Sequence, residues 1–197
     1  MKTQFSILIF ATALCFVACH ETNEPSTTVQ QPTHLIPFAK GNSWTYSRTD
    51  YDTLGNVRST YPYPTKMLYD TVVGGVVWHA MLDVDLIVWY RDSTAGVIMY
   101  PPNKLVYKYP ATSQDSFQYA FGPQYLKVIS TTERVQVSAG VFSCYTYLWK
   151  SEPTDYWREY DYVCPGVGVI KKETYRASQT GEHLPWSISE LSSYSVK

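Results

Sequence analysis

Three side chains near the middle of the chain are of types that do acid–base work. His79, Asp83 and Asp85 are spaced four and two residues apart. On a strand, even separations put all three on one face. Functionally they read as a carboxylate pair with a base, or as the start of a cation site. No neighbouring acidic cluster supplies further ligands, so the plainer reading is a solvated strand face. Glu182 and His183 sit in the turn-forming run Ser178–His183 and read as a surface loop. His20 and His34 lie near the N-terminus, leaving little for a metal site, and no H-E-x-x-H, paired C-x-x-C or EF-hand loop occurs. Gly166-Val167-Gly168 lacks the third glycine of a dinucleotide fingerprint and precedes a strand, so it is no phosphate cradle. No G-x-S-x-G elbow is present. These residues imply no metal and no cofactor. They favour a non-enzyme, with a hydrolase working through Asp83 or Asp85 ranked third among the functions.

The aromatic residues offer a different chemistry. The 197 residues include 18 Tyr and 6 Trp, and the aromatic share of 16% excludes global disorder. Tyr and Trp on a sheet can stack on sugar rings or line a pocket for an amphiphile; ordinary sheet packing is the alternative. Sixteen basic against 17 acidic residues give a formal charge of −1, which builds no field for nucleic acid.

The elements that carry these side chains read as strands. Apolar residues at helical spacing are missing, while short Tyr-, Val- and Thr-rich runs recur between turn residues. Residues 42–51 form the first, with Trp44 and Tyr46 as markers of the core. Runs 66–73 and 76–82 flank Gly74-Gly75, a link suited to a primed hairpin turn. Others cover 86–91, 97–100, 105–109, 125–132, 134–138, 141–150, 156–163, 167–175 and 187–196. Leu82, Val84, Leu86, Val88 and Tyr90 read as one apolar face of a continuous strand, with Met81, Asp83, Asp85, Ile87 and Trp89 opposite. The loop 111–123 has room for a short helix. The expectation is an all-β single domain over 35–197. About ten mostly antiparallel strands would form a curved sheet, half-barrel or open barrel.

Cys144 and Cys164 fall on two runs joined at Ser151–Thr154. Their midpoint is residue 154, so a symmetric hairpin sets them opposite each other, as a disulfide requires. A bulge in either strand would instead turn them to opposite faces.

The N-terminus carries an address. Lys2 precedes a mostly apolar run from Phe5 to Val17, shorter than the roughly 20 residues a spanning helix needs. Phe16-Val17-Ala18-Cys19 resembles a bacterial lipobox, although Phe16 departs from the usual Leu. This implies a lipoprotein signal peptide over 1–18 and acylation of Cys19. Residues 19–34 then form the lipidated Cys and a flexible tether rich in Thr, Gln, Glu and Pro. His20 is not the Asp familiar as an inner-membrane retention signal, so the expected address is the outer membrane.

Three further segments carry a family resemblance. Gly41-Asn42-Ser43-Trp44-Thr45-Tyr46 resembles the G-N-x-W-x-Y opening of a group of small Gram-negative envelope lipoproteins of unknown function. Val137 to Cys144 resembles their V-x-A-G-x-F-x-C segment, and Pro165 to Lys171 their P-G-V-G-x-V-K segment. Cys164 stands where that group has Ala, so the resemblance does not imply the Cys144–Cys164 pairing. It implies an envelope address and a β-rich fold, some members looking like the curved half-barrels of lipoprotein carriers, and it brings no catalytic residues.

The reading that follows is a non-catalytic, lipid-anchored cell-envelope protein. It would contact the membrane through its acyl anchor and bind an amphiphile, glycan or protein partner on an aromatic-rich sheet. The alternative is a structural or accessory subunit of an envelope complex without a small ligand.

Overall fold

The structure, a computed structural model, describes residues 32–118, 125–151 and 154–197. The expected signal peptide, Cys19 and the expected tether up to residue 31 lie outside the described residues, as do Pro153 and residues 119–123. Among the described residues there are twelve strands and no helix. They are β1 (Ser43–Tyr51), β2 (Val57–Val73), β3 (Val76–Asp83), β4 (Leu86–Ser93), β5 (Gly96–Tyr100) and β6 (Lys104–Lys108). After these come β7 (Ser116–Gln118), β8 (Tyr125–Val137), β9 (Gly140–Lys150), β10 (Trp157–Cys164), β11 (Gly168–Ala177) and β12 (His183–Ser195). All belong to one antiparallel sheet ordered β6-β5-β4-β3-β2-β1-β12-β11-β10-β9-β8-β7. Each strand pairs with its sequence neighbour, except that β6 and β7 do not pair, and the first strand also pairs with the last. The meander therefore curls into a nearly closed barrel whose free edges are β6 and β7.

Several expectations change. Residues 82–90 are not one continuous strand: Val84-Asp85 is a hairpin turn, with Val84 at a positive φ of 56°. The turn resets the alternation, so Met81 opposes Val88 and Leu82 opposes Ile87. The supposed apolar face is thereby split. Leu86, at 71% exposed, stands at the tip. Strand β2 begins nine residues earlier than the run that starts at Lys66, because Pro62 and Pro64 lie inside it. Those prolines are tolerated because residues 57–64 pair only with β1, while β3 joins β2 from Thr65 onward. A proline there breaks no ladder bond on its open side. Ser116–Gln118, within the loop expected to hold a short helix, is strand β7.

The unequal strand lengths shape the barrel. The wall of β3 and β4 ends at the level of Thr65 and Asp83, while β1, β2, β12, β11 and β10 run further. One end of the lumen therefore opens over a half-barrel apron. The other end is closed by the chain leading into β1, where Leu35, Ile36 and Phe38 are buried. Pro32 and His34, assigned by sequence to the tether, are pinned to this end. The Pro32 carbonyl accepts from the Tyr109 hydroxyl at 2.6 Å, and the His34 carbonyl from Gly166 N–H at 2.9 Å.

Candidate binding site in the barrel lumen

Trp44 and Tyr46 anchor the closed end. Both are buried, at 3% and 8% exposure. Trp44 Nε1 donates to the Val167 carbonyl at 2.7 Å, and the Tyr46 hydroxyl donates to the Val169 carbonyl at 3.1 Å. The opening segment with Trp44 and Tyr46 is thus locked onto the Pro165–Lys171 segment. Ala139 N–H, from the Val137–Cys144 segment, donates to the Leu191 carbonyl on β12. Gly168, at φ +105°, takes a backbone conformation that a side chain would strain, and a Cβ there would touch Trp44 and Ile36.

Below this ceiling the lumen holds a cavity of about 410 Å³, within the range of small-molecule sites. Ile36 and Phe38 form its roof. Aromatic rings are prominent in the wall: Trp44, Tyr46, Tyr63, Tyr90 and Tyr107 higher up, Trp157 and Trp186 at the open end. Aliphatic contributions are few, chiefly Met81 and Val169. Hydroxyl and charged groups intersperse the rings, with Thr65, Thr174, Ser187 and Ser189 beside Arg48, Asp83, Glu159 and Lys172. A second recess of about 400 Å³ shares Tyr90, Tyr107 and Lys172 and reaches Asp161.

Strand alternation explains the placement. On β10, Trp157, Glu159 and Asp161 recur every second residue and share the inner face. Opposite Glu159 and Asp161 on β11 are Thr174 and Lys172. On β1, Arg48 opposes Tyr61 of β2 and Ser189 of β12. The charges are arranged in pairs. Lys172 Nζ lies 3.1 Å from Glu159 Oε1 and 3.4 Å from Asp161 Oδ1. Arg48 Nε donates to Asp50 Oδ1 at 2.9 Å, and its guanidinium sits 5.5 Å from the Tyr63 ring centre. Burial pushes the Asp161 carboxyl up to about 6 despite the lowering pull of Lys172. Burial, then the hydrogen bond and charge of Asp83, push Tyr63 up to about 12. At the open end Trp157 and Trp186 meet edge to face, with ring centres 5.6 Å apart, and the Arg176 guanidinium lies 4.5 Å over Trp186.

The structure does not gather His79, Asp83 and Asp85 into one acid–base group. His79 Nδ1 pairs with Asp70 Oδ1 at 2.8 Å, and its ring stacks on Phe38 at 5.1 Å. Asp83 lines the cavity, and Asp85 is an exposed turn residue. Four strand residues separate His79 from Asp83, about 13 Å at the usual rise. His183 opens β12 and pairs through Nε2 with the Asp155 carbonyl at 2.9 Å. Among the described residues no group of three or more His, Cys, Asp or Glu could hold a metal ion.

Cys144 and Cys164 are free thiols, so the expected bridge is not formed in the structure. The β9–β10 register is nonetheless symmetric about residue 154, pairing Tyr145 with Val163. A hydrogen bond with Cys164, then burial, push the Cys144 thiol up.

No protein-family model matches the chain, and no curated protein matches it. Two solved structures resemble it. A Bacteroides fragilis protein, described as exported and of YmcC-like fold, is 17% identical; the match covers 81% of this chain and 98% of that one, with a TM-score of 0.48. A Parabacteroides distasonis protein described as a lipoprotein is 15% identical, covering 84% of this chain and 100% of that one, with a TM-score of 0.42.

Lys172, Glu159, Asp161, Trp157 and Trp186 escape a reading of the sequence alone. The alternation of Trp157, Glu159 and Asp161 is visible there. Lys172 reaches Glu159 and Asp161 through the β10–β11 register, and Tyr107 meets Asp161 only because the sheet curls.

Proposed function

We propose that this protein is a lipid-anchored, non-catalytic member of the cell envelope that holds a small molecule in its barrel lumen. The observation that carries the reading is the open cavity of about 410 Å³ walled by aromatic rings. A sheet curled only for stability would fill its interior with side chains, as small barrels do. The lipobox ending at Cys19 and the polar stretch after it support acylation, and His20 supports the outer membrane. One feature favours the alternative of an accessory subunit: the β2–β3 hairpin tip exposes Val72, Val76 and Val77, an apolar patch of the kind that meets another protein.

Native mass spectrometry of the protein released from envelopes tests the binding reading. A stoichiometric small-molecule adduct that is lost on unfolding is expected; an unliganded mass, with a stoichiometric protein partner in its place, favours the accessory subunit. Fractionation tests the anchor. Cys19→Ala should leave the membrane fraction, and its retention there at the wild-type level would refute acylation as the means of attachment.

A further inference from the structure

We propose that the lumen takes a short neutral saccharide, an assignment that rests on the lumen being a binding site. Three observations separate this ligand from an acyl chain or an anionic headgroup.

The first is the ratio of ring to aliphatic surface. Eight aromatic side chains line the cavity against three aliphatic or thioether ones, Ile36, Met81 and Val169. A pyranose presents a flat C–H face that stacks on Tyr and Trp, whereas an acyl chain is best held by aliphatic groups on all sides.

The second is the spread of polar groups. Thr65 on β2, Asp83 on β3, Glu159 on β10, Thr174 on β11, and Ser187 and Ser189 on β12 all line the same space. They stand on two facing walls, with Thr65 opposite Asp83 on β2 and β3, and Glu159, Thr174 and Ser187 in one row across β10, β11 and β12. An acyl chain would cover them without offering hydrogen bonds, at a cost for every group stripped of water. A ring with hydroxyls around its rim offers partners in several directions.

The third is charge. Both cations lining the cavity are already paired, Arg48 with Asp50 and Lys172 with Glu159 and Asp161. An arriving phosphate or carboxylate would have to break a pair and face the carboxylates left behind. A neutral ligand meets no such penalty.

The open end supplies the recognition platform. Trp157 and Trp186 hold each other at 87°, and Arg176 covers one face of Trp186. The rings are therefore fixed before a ligand arrives, which reduces the ordering cost of binding. One of the two rings stacks on the sugar and the other, perpendicular to it, bounds the sugar's edge, while Glu159 and Ser187 take its hydroxyls.

The test uses the full-length protein in amphipol. It is titrated with an array of neutral hexose and N-acetylhexosamine oligosaccharides, and separately with palmitate and lysophosphatidylglycerol, by calorimetry and tryptophan fluorescence. At least one oligosaccharide should bind and change the fluorescence. Trp157→Ala and Trp186→Ala should each weaken it about tenfold, Trp157→Phe should restore most of the affinity, and the unfolding midpoints should show that each variant is folded. Binding of palmitate or the lysolipid with no oligosaccharide bound overturns the saccharide assignment and leaves the binding-protein reading standing. No binding of either class overturns both. A bound saccharide indifferent to both Trp variants overturns the placement of its site.

Discussion

The Tyr107 hydroxyl on β6 donates to Asp161 Oδ2 on β10 at 2.8 Å, joining an edge strand to a strand that is not its sheet neighbour. The Tyr147 hydroxyl on β9 donates to the Lys108 carbonyl at the end of β6, also at 2.8 Å. The Tyr107 and Tyr147 rings lie 5.0 Å apart. Side chains, and not a backbone ladder, therefore fasten β6 against the opposite wall.

Removing that fastening should be costly. Tyr107→Phe keeps the ring and leaves Asp161 Oδ2 without its donor in a buried setting. A loss of about 1–3 kcal/mol is expected, read from the urea midpoint at constant slope. An unchanged midpoint would mean that water replaces the hydroxyl.

Asp161 should also give the protein a distinctive pH response. Its carboxyl is raised from 3.8 to about 6 because burial disfavours the charge. The folded state then holds the proton more tightly than the unfolded state, so this group's contribution is most favourable below about pH 4. That contribution is lost as pH rises through about 6. Relative to Asp161→Asn, the wild type should lose up to about 3 kcal/mol between pH 4 and pH 7. Urea titrations of both proteins across that window check this, and a wild type that gains relative stability with rising pH would show that Lys172 dominates.

Gly96→Ala should be among the most damaging small substitutions. Gly96 has φ +126°, and a Cβ there would fall 2.0 Å from the Tyr107 carbonyl oxygen and 2.6 Å from the Tyr109 nitrogen. Both obstacles are backbone, so β6 must move. A loss of about 3 kcal/mol or more is expected, with hydrogen exchange accelerating first in β5 and β6. Protection equal to the wild type there would contradict the close approach.

Trp44→Ala empties a site between the roof and the β10–β11 turn and should cost about 3–5 kcal/mol. Trp44→Phe, which fills part of the space but lacks the donor to the Val167 carbonyl, should cost less. Chemical denaturation of the pair separates the volume effect from the hydrogen bond.

The two cysteines offer a chemical check. Cys144 is fully buried and its thiol is pushed up, so alkylation of the folded protein should be slow. Two thiols should react once the protein is unfolded without reductant. A count of zero would show that the bridge forms in the native protein.

Much of the wall is legible in the sequence. Trp44 and Tyr46, two apart and both buried, mark β1. Gly74-Gly75 marks a turn in which both residues have positive φ. Residue 154 fixes the register of β9 against β10. The failures have local causes. Pro62 and Pro64 mask half of β2, because proline tolerance depends on which side of a strand lacks a partner. Val84 conceals a turn, since a β-branched residue at positive φ is rare. The cavity is not legible: Tyr107 and Asp161 lie 54 residues apart, and only closure of the sheet makes them neighbours.

The pairing of β1 with β12 sets Ser43 opposite Ser195. A chain passed through a translocation pore N-terminus first delivers β12 last, so β1 waits with one open edge until almost the whole polypeptide has crossed. Closure is a late, long-range event of the kind that folds slowly and exposes strand edges. Until β12 arrives the unfinished sheet keeps the β1 edge unpaired, and truncation within β12 should leave it so.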